Sequence, residues 1–224
     1  MKSNEELLRE IFARLDGLDY VKPEQIPDIP LYMDQLTTFM DERLEKSKRY
    51  PEDKVLTKTM INNYAKNNLL PPPDKKKYTK EHTLLLIFIY YFKNMLSFHD
   101  IETLFAPITE EHFSPGRQQA ALSKESELSD WSLEDIYQEI FSLEKEQMKR
   151  LKEDLIKKFR SSMKTFSQPP QKPDSAADGG SQEYLKLFSF ICALGFDVYL
   201  KKQMMEFLID YIREESPPSN KKKK

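Results

Sequence analysis

Residues 57–79, which read TKTMINNYAKNNLLPPPDKKKYT, decide the predicted fold of this chain. Thr57 is a good N-cap residue, and apolar side chains return at helical spacing behind it, which predicts a short helix that stops near residue 67. The side of this helix expected to face inward comprises Met60, Ile61 and Tyr64. Its opposite side is polar, so the helix should lie at the surface of a core.

The elements predicted before and after this helix indicate which fold it belongs to. A longer helix is predicted at 31–46, because apolar residues fall on one of its faces. After the short helix, three prolines prevent the helix from resuming, and the basic stretch 74–78 is predicted to form a two-stranded wing. Thr79 then caps an apolar helix, and a shorter helix follows through residue 105. This order predicts a winged helix-turn-helix at 26–105 in a mostly α-helical chain.

The other segments follow from caps, apolar periodicity and linker composition. They are an N-terminal helical arm at 1–25 with Asn4 as its cap, a loop at 106–131, a long helix at 132–166, a linker at 167–182, an apolar helix at 183–213 and a Lys-rich tail at 214–224. The apolar window 184–200 is shorter than the ~20 residues of a bilayer span and carries charges, so we interpret it as a buried helix.

Charge is distributed unevenly along the sequence. Residues 46–80 contain ten Lys or Arg and three Asp or Glu, a net charge of +7, in a chain whose formal net charge is -2. A basic segment in an otherwise acidic chain indicates either a polyanionic partner or a solvated loop. The single Cys192 excludes an internal disulfide, and the N-terminus does not read as a signal peptide, so we expect a cytoplasmic protein.

The polar side of the short helix has the chemistry of a DNA-reading surface. Asn side chains can pair with adenine in the major groove, and Lys and Thr can reach guanine or phosphate oxygens. The wing lysines would add salt-sensitive phosphate contacts. The predicted DNA-binding residues are Lys58, Thr59, Asn62, Asn63, Tyr64, Lys66, Lys75, Lys76, Lys77 and Tyr78.

The same stretch resembles a known motif. MINNYAKNNLLPP at 60–72 is similar to the segment of MerR-type regulators that reads Thr-Ile-Arg-Tyr-Tyr-Glu, two variable residues, Gly-Leu-Leu, one variable residue and Pro. Asn68 occupies the glycine position and is suited to a left-handed helix cap. Asn62 and Asn63 replace the Arg-Tyr pair. Residues 26–105 with the C-terminal helices also resemble the bacterial domain of unknown function 1836 family.

The MerR resemblance implies a transcription regulator that binds double-stranded DNA as a homodimer, with the helix at 132–166 as the partner helix. We expect no cofactor. Such a dimer would read a near-palindromic operator. The helix at 183–213 could line the pocket of an unknown small-molecule effector, although core or dimer packing explains its apolar side chains better. Those side chains are Phe188, Phe190, Ile191, Phe196, Tyr199, Met204 and Phe207.

Two other function classes stay open. The first is a helical module that uses a winged-helix scaffold to bind proteins without binding DNA. The second is an enzyme, which we rank last because His82, His99 and His112 show no His-Glu-x-x-His spacing and no phosphate-binding glycine loop is present. Glu110, Glu111 and His112 could coordinate a metal, but we expect neither a metal nor a catalytic site.

Overall fold

The computed structural model describes residues 3–18, 20–113, 130–167 and 179–215. In these ranges the chain is mostly helical, with a single two-stranded sheet. The helices are α1 (Asn4–Gly17), α2 (Met33–Arg43), α3 (Lys58–Lys66), α4 (Lys80–Phe92), α5 (Phe98–Phe113), α6 (Leu133–Met163) and α7 (Gly179–Glu215), and the strands are β1 (Leu31–Tyr32) and β2 (Lys77–Tyr78). The described residues form two compact units: a larger one within 13–143 and 206–224, and a smaller one within 1–12 and 144–205.

Helix α4 forms the centre of the larger unit. Its residues from His82 to Ile89 are all buried, which agrees with a helix that is apolar nearly all round and must be enclosed by other elements. The buried sides of α2 and α3 contribute Leu36, Met40 and Ile61 to the same core. The smaller unit packs α6 against α7, with the Phe159 and Phe190 rings 5.3 Å apart in an edge-on arrangement.

The prediction for residues 31–46 was wrong at its start. Leu31 and Tyr32 form β1, which pairs antiparallel with β2 so that Leu31 lies opposite Tyr78. Helix α2 begins only at Met33, and a 3₁₀ turn at Glu45–Ser47 follows it. Both Leu31 and Tyr78 are buried, so the strand pairing closes one edge of the core.

The predicted wing at 74–78 is not a two-stranded unit of its own, because β2 pairs with β1 and only an isolated antiparallel bridge joins Asp74 to Lys77. Instead, residues 74–77 make a tight turn in which the Lys77 amide donates to the Asp74 carbonyl at 2.8 Å. Lys75 and Lys76 have φ angles of 48° and 67°. Positive φ at both central residues is typical of a type I′ turn, which usually selects Asn and Gly.

Helix α3 confirms the local predictions at both ends. The Thr57 hydroxyl accepts a hydrogen bond from the Met60 amide at 3.2 Å, as an N-cap should. At the other end, Asn68 adopts a φ of 60°. The Leu69 amide then donates to the Tyr64 carbonyl at 2.9 Å, and the Asn68 amide to the Ala65 carbonyl at 3.3 Å, which is the Schellman pattern.

Helix α5 extends beyond its predicted end. It runs to Phe113 through Pro107, so residues 106–113 are helical and not loop. Pro costs about 3 kcal/mol inside a helix. Burial of Ile101, Phe105 and His112 at helical spacing offsets that cost, since all three pack on one side of the helix.

Helices α5 and α6 each begin with a capping box, at Ser97 and at Ser132. Ser97 and Asp100 exchange hydrogen bonds, as do Ser132 and Asp135, whose amide donates to the serine hydroxyl at 3.1 Å. The pKa of each aspartate is lowered, first by the hydrogen bond from its serine hydroxyl. The cap of α1 was wrongly assigned to Asn4. Ser3 takes this role, because its hydroxyl accepts from the Glu6 amide at 3.3 Å.

The prediction of a buried helix at 184–200 was wrong. Helix α7 begins at Gly179, four residues before the predicted start, and most of its large apolar side chains are exposed. Within its stretch in the smaller unit, Phe190 is buried against α6, and Asp197 forms an ion pair with Lys158 at 2.5 Å. These two residues mark the covered side of the helix, and the other sides face solvent.

Parts of four predicted segments lie outside the described residues: 1, 2 and 19 of the N-terminal arm, 114–129 of the loop, 168–178 of the linker and 216–224 of the Lys-rich tail. Among the described helices, none is both long enough and apolar enough to cross a membrane.

Candidate nucleic-acid interface

One polar edge of α3 is exposed to solvent while the opposite side is anchored in the core. Ile61 and Tyr64 are buried. The exposed edge, which we call the α3 edge, consists of Lys58, Thr59, Asn62, Asn63 and Lys66. Within the described part of the chain, the Asn62 side chain makes no hydrogen bond. Its amide can therefore both donate and accept outward, as adenine recognition requires.

The α3 edge is less positive than the sequence indicates, because Lys58 forms an ion pair with Asp34 of α2. Both side chains are largely exposed, at 59% and 76%, so solvent screens the pair and it stabilises the fold little. Lys58 can exchange this partner for a phosphate group, but the Asp34 carboxylate stays beside that phosphate and repels it.

Two further lysines of the basic segment are neutralised by acids outside it. Lys48 pairs with Asp41 at 2.8 Å, and Lys80 contacts Asp28 at 3.0 Å and Glu134 at 2.8 Å. The carboxylates raise the pKa of Lys80, with the hydrogen bond to Glu134 as the largest cause. These pairs reduce the positive charge that the segment presents to a polyanion. The exposed lysines of α3 and of the 74–77 turn are therefore the main candidates for contact with a polyanion.

The 74–77 turn presents Lys75, Lys76 and Lys77 to solvent. The Lys77 ammonium lies 5.1 Å from the centre of the Tyr32 ring, a cation–π contact. Tyr32 is half exposed on β1, and it is not among the predicted contact residues because it falls in the helix predicted at 31–46. Lys77 is thus held on β2, whereas Lys75 and Lys76 form the tip of the turn.

Two predicted contact residues belong to the core. Tyr64 is 9% exposed and Tyr78 is 3% exposed, and burial raises the pKa of both phenols. Tyr64 stacks obliquely on Phe98 with ring centres 6.4 Å apart, and Tyr78 meets His82 edge-on at 5.6 Å. Both tyrosines therefore support the elements that carry the exposed residues, and we correct their assignment as direct contacts.

Polar contacts fix the turn between α2 and α3, residues 44–57. Asp41 accepts from the Lys48 ammonium and from the Val55 amide, the latter at 3.4 Å. Lys93, at the end of α4, donates to the Val55 carbonyl at 2.8 Å, and burial lowers the pKa of its ammonium. Ser47 also hydrogen-bonds the Tyr90 hydroxyl. The start of α3 is therefore tied to both α2 and α4.

A cleft of about 470 Å³ lies between α2 and the start of α3. Its lining residues are Thr37, Thr38, Asp41, Glu42, Lys54, Leu56, Thr57 and Lys58. The two lysines are matched by two acids, so the cleft has no excess of positive charge to hold an anion.

The three histidines lie in separate settings. His82 is buried near the start of α4, where its Nδ1 accepts from the Thr79 amide at 3.1 Å, and burial lowers its pKa. His99 is exposed beside Glu102, and His112 is buried on α5 next to Glu110 and Glu111 in sequence. Among the described residues, no cluster of three or more His, Cys, Asp or Glu could hold a metal ion.

A family model matches part of the chain. No curated protein and no solved structure matches the chain. Residues 21–125, which contain β1, β2 and helices α2 to α5, match the family model described as Domain of unknown function (DUF1836). For that segment, the match supports the resemblance to this family that was stated from the sequence.

Proposed function

We propose that this protein is a sequence-specific DNA-binding transcription regulator that reads duplex DNA with α3. The observation that carries the proposal is the α3 edge, a solvent-exposed row of Lys, Thr and Asn on a helix whose other side is fixed in the core. A short helix presented in this way fits the major groove, and its side chains can contact base edges and phosphates.

The residues have different roles in this proposal. Asn62 pairs with a base edge, since an amide can make two hydrogen bonds to adenine. Lys66, one helical turn further along, contacts a phosphate, as does Lys58 after it leaves Asp34. Lys75 and Lys76 at the tip of the 74–77 turn contact the adjacent backbone and add affinity that does not depend on sequence.

The same proposal includes a MerR-like winged helix-turn-helix, formed by α2 and α3 with the 74–77 turn as the wing. Its support is the likeness of residues 60–72 to the MerR segment, together with the left-handed cap at Asn68 in the place of that segment's glycine. A regulator of this kind acts in the cytoplasm as a homodimer on a near-palindromic operator. A small-molecule effector is part of the proposal.

A gel-shift assay on random duplex DNA tests the proposal. The variant Lys58→Ala/Asn62→Ala/Lys66→Ala removes three exposed side chains of α3 and should stay folded, because none of them is in the core. We expect it to lose DNA retention at moderate salt. The matched control is Lys145→Ala/Gln147→Ala/Lys149→Ala on α6, which removes the same two charges and one amide from an exposed surface and should bind DNA like the wild type.

Unchanged retention by the α3 variant would reject the proposal. The salt dependence of binding separates it from the alternative, a protein-binding module on the same scaffold. A DNA-binding protein loses affinity steeply as salt rises because counterions are released from the duplex, whereas a protein-binding module shows little retention on DNA at any salt.

A further inference from the structure

The two-stranded sheet has one buried face and one exposed face. Leu31 pairs with Tyr78, and Tyr32 pairs with Lys77. Successive side chains of a strand point to opposite faces of a sheet. Leu31 and Tyr78 are buried, whereas Tyr32 and Lys77 are exposed. The exposed face therefore carries an aromatic ring and a lysine directly opposite each other.

This pair of side chains has the chemistry of a contact with a nucleic-acid backbone. The Lys77 ammonium lies 5.1 Å from the centre of the Tyr32 ring, yet Tyr32 remains 52% exposed. Tyr and Lys side chains are both used to contact the sugars and phosphates of DNA. The open part of the ring can pack on a deoxyribose while the ammonium beside it binds a phosphate.

The same short segment also contacts the start of α3. Asp34, two residues after Tyr32, forms an ion pair with Lys58. Two residues of extended chain span at most about 7 Å, so the contacts of Tyr32 and Asp34 bring Lys77 and Lys58 to the same end of α2. A lysine of the 74–77 turn and a lysine of the α3 edge are thus joined into one exposed surface, with Tyr32 in the segment that links them.

Charge decides which part of a DNA backbone can face this segment. The Asp34 side chain is 76% exposed and repels a phosphate placed beside it. A deoxyribose is neutral and is not repelled, and its carbon atoms match the apolar Tyr32 ring. The phosphates on either side of that sugar then fall to Lys58 and Lys77.

We infer that Tyr32 is a further DNA contact, whose ring packs on a deoxyribose between the phosphates bound by Lys58 and Lys77. The inference rests on the proposed function, because the duplex concerned is the one that α3 reads. It adds a residue of β1 to the interface. A backbone contact at this point fixes the register of α3 along the groove, since contacts to sugar and phosphate position a protein on its duplex.

Fluorescence anisotropy of the full chain with a labelled random duplex tests the inference. Tyr32→Thr removes the ring and should stay folded, because threonine suits both a strand and the helix N-cap position that residue 32 holds. We expect its affinity to fall roughly fivefold to tenfold, the low end of the range for aromatic contacts with bases. Tyr32→Phe keeps the ring and should bind like the wild type.

The matched control is Tyr50→Thr. Tyr50 is 50% exposed, and the Arg49 guanidinium lies 5.3 Å from the centre of its ring, so its exposure and its basic neighbour resemble those of Tyr32. It follows the opposite end of α2, a helix of 11 residues that is about 16 Å long. Loss of this ring should leave the DNA affinity unchanged.

A second background separates a direct contact from a role in holding Lys77. In a Lys77→Gln background, Tyr32→Thr should lower the affinity by about the same factor as in the wild type. The slope of affinity against salt should not change with Tyr32→Thr, since no charge is removed.

Two results would overturn the inference and leave the proposed function intact. One is an effect of Tyr32→Thr that disappears in the Lys77→Gln background, and the other is wild-type affinity of Tyr32→Thr when Lys58→Ala/Asn62→Ala/Lys66→Ala has lost DNA binding. A Tyr32→Phe variant as weak as Tyr32→Thr also contradicts packing of the ring. A wild type that does not bind DNA overturns the proposed function and this inference together.

Discussion

The tip of the 74–77 turn allows a test in which charge is removed without disturbing the fold. Lys75 and Lys76 adopt positive φ angles, which L-residues other than Asn and Asp rarely adopt. The double variant Lys75→Asn/Lys76→Gly introduces the sequence preferred for a type I′ turn. It should raise the free energy of unfolding by about 1 kcal/mol, because the left-handed conformation of an ordinary L-residue costs roughly that amount.

The same variant removes two of the proposed phosphate contacts. Each contact contributes about 0.9 to the slope of the logarithm of the binding constant against the logarithm of salt concentration, so the slope should become shallower by about 1.8. Fluorescence anisotropy with a labelled duplex at several salt concentrations measures the slope, and thermal unfolding measures stability. A protein that is more stable yet binds DNA less strongly is the expected combination.

The control for this variant is Lys145→Gln/Lys149→Gln, which lowers the net charge by the same amount at exposed positions on α6. It should leave the slope unchanged. If the turn variant binds DNA with the wild-type slope, or if both variants change it equally, then the turn lysines do not contact phosphate and the reasoning is refuted.

Three further predictions concern single residues. Asp34→Asn should strengthen DNA binding several-fold in the same anisotropy assay, because it removes the acid that pairs with Lys58; equal or weaker binding contradicts this. Thr57→Ala should lower the free energy of unfolding by about 1 kcal/mol in a denaturant titration, since the Met60 amide loses its cap. Burial lowers the pKa of His82 from 6.5 in the folded protein, so below about pH 6.5 the unfolded chain binds more protons than the folded chain. The free energy of unfolding should therefore fall as the pH drops below about 6.5, and His82 should cause no loss of stability above that pH. His82→Gln keeps a cap acceptor but takes up no proton, so it should weaken this pH dependence; an unchanged profile would assign it to other groups.

Local signals made α3 and the capped helix starts predictable. Thr57, Ser97 and Ser132 are short polar residues ahead of apolar periodicity, and each satisfies amides of its own helix. The left-handed residue at Asn68 was also predictable, because few residues other than Gly and Asn fit there. Such features depend on neighbours within a few positions, so the sequence contains all the information they need.

Features that depend on distant partners were not predictable. Leu31 and Tyr32 are too few to show a strand pattern, and only their pairing with Lys77 and Tyr78 makes them a strand. The apolar side of α5 carries the helix past Pro107, although the residue type alone indicates an end. The ion pair between Lys58 and Asp34 likewise joins two elements, so the charge of the α3 edge could not be derived from the composition of its own segment.

The polar contacts at the turn between α2 and α3 determine how much freedom α3 retains. Asp41 and Lys93 both contact Val55, one from α2 and one from the end of α4. The orientation of α3 is therefore coupled to the position of α4, so a shift of α4 would move the start of α3 with it. If α3 reads duplex DNA as proposed, weakening these contacts should first broaden the range of duplex sequences that are bound and only then abolish binding.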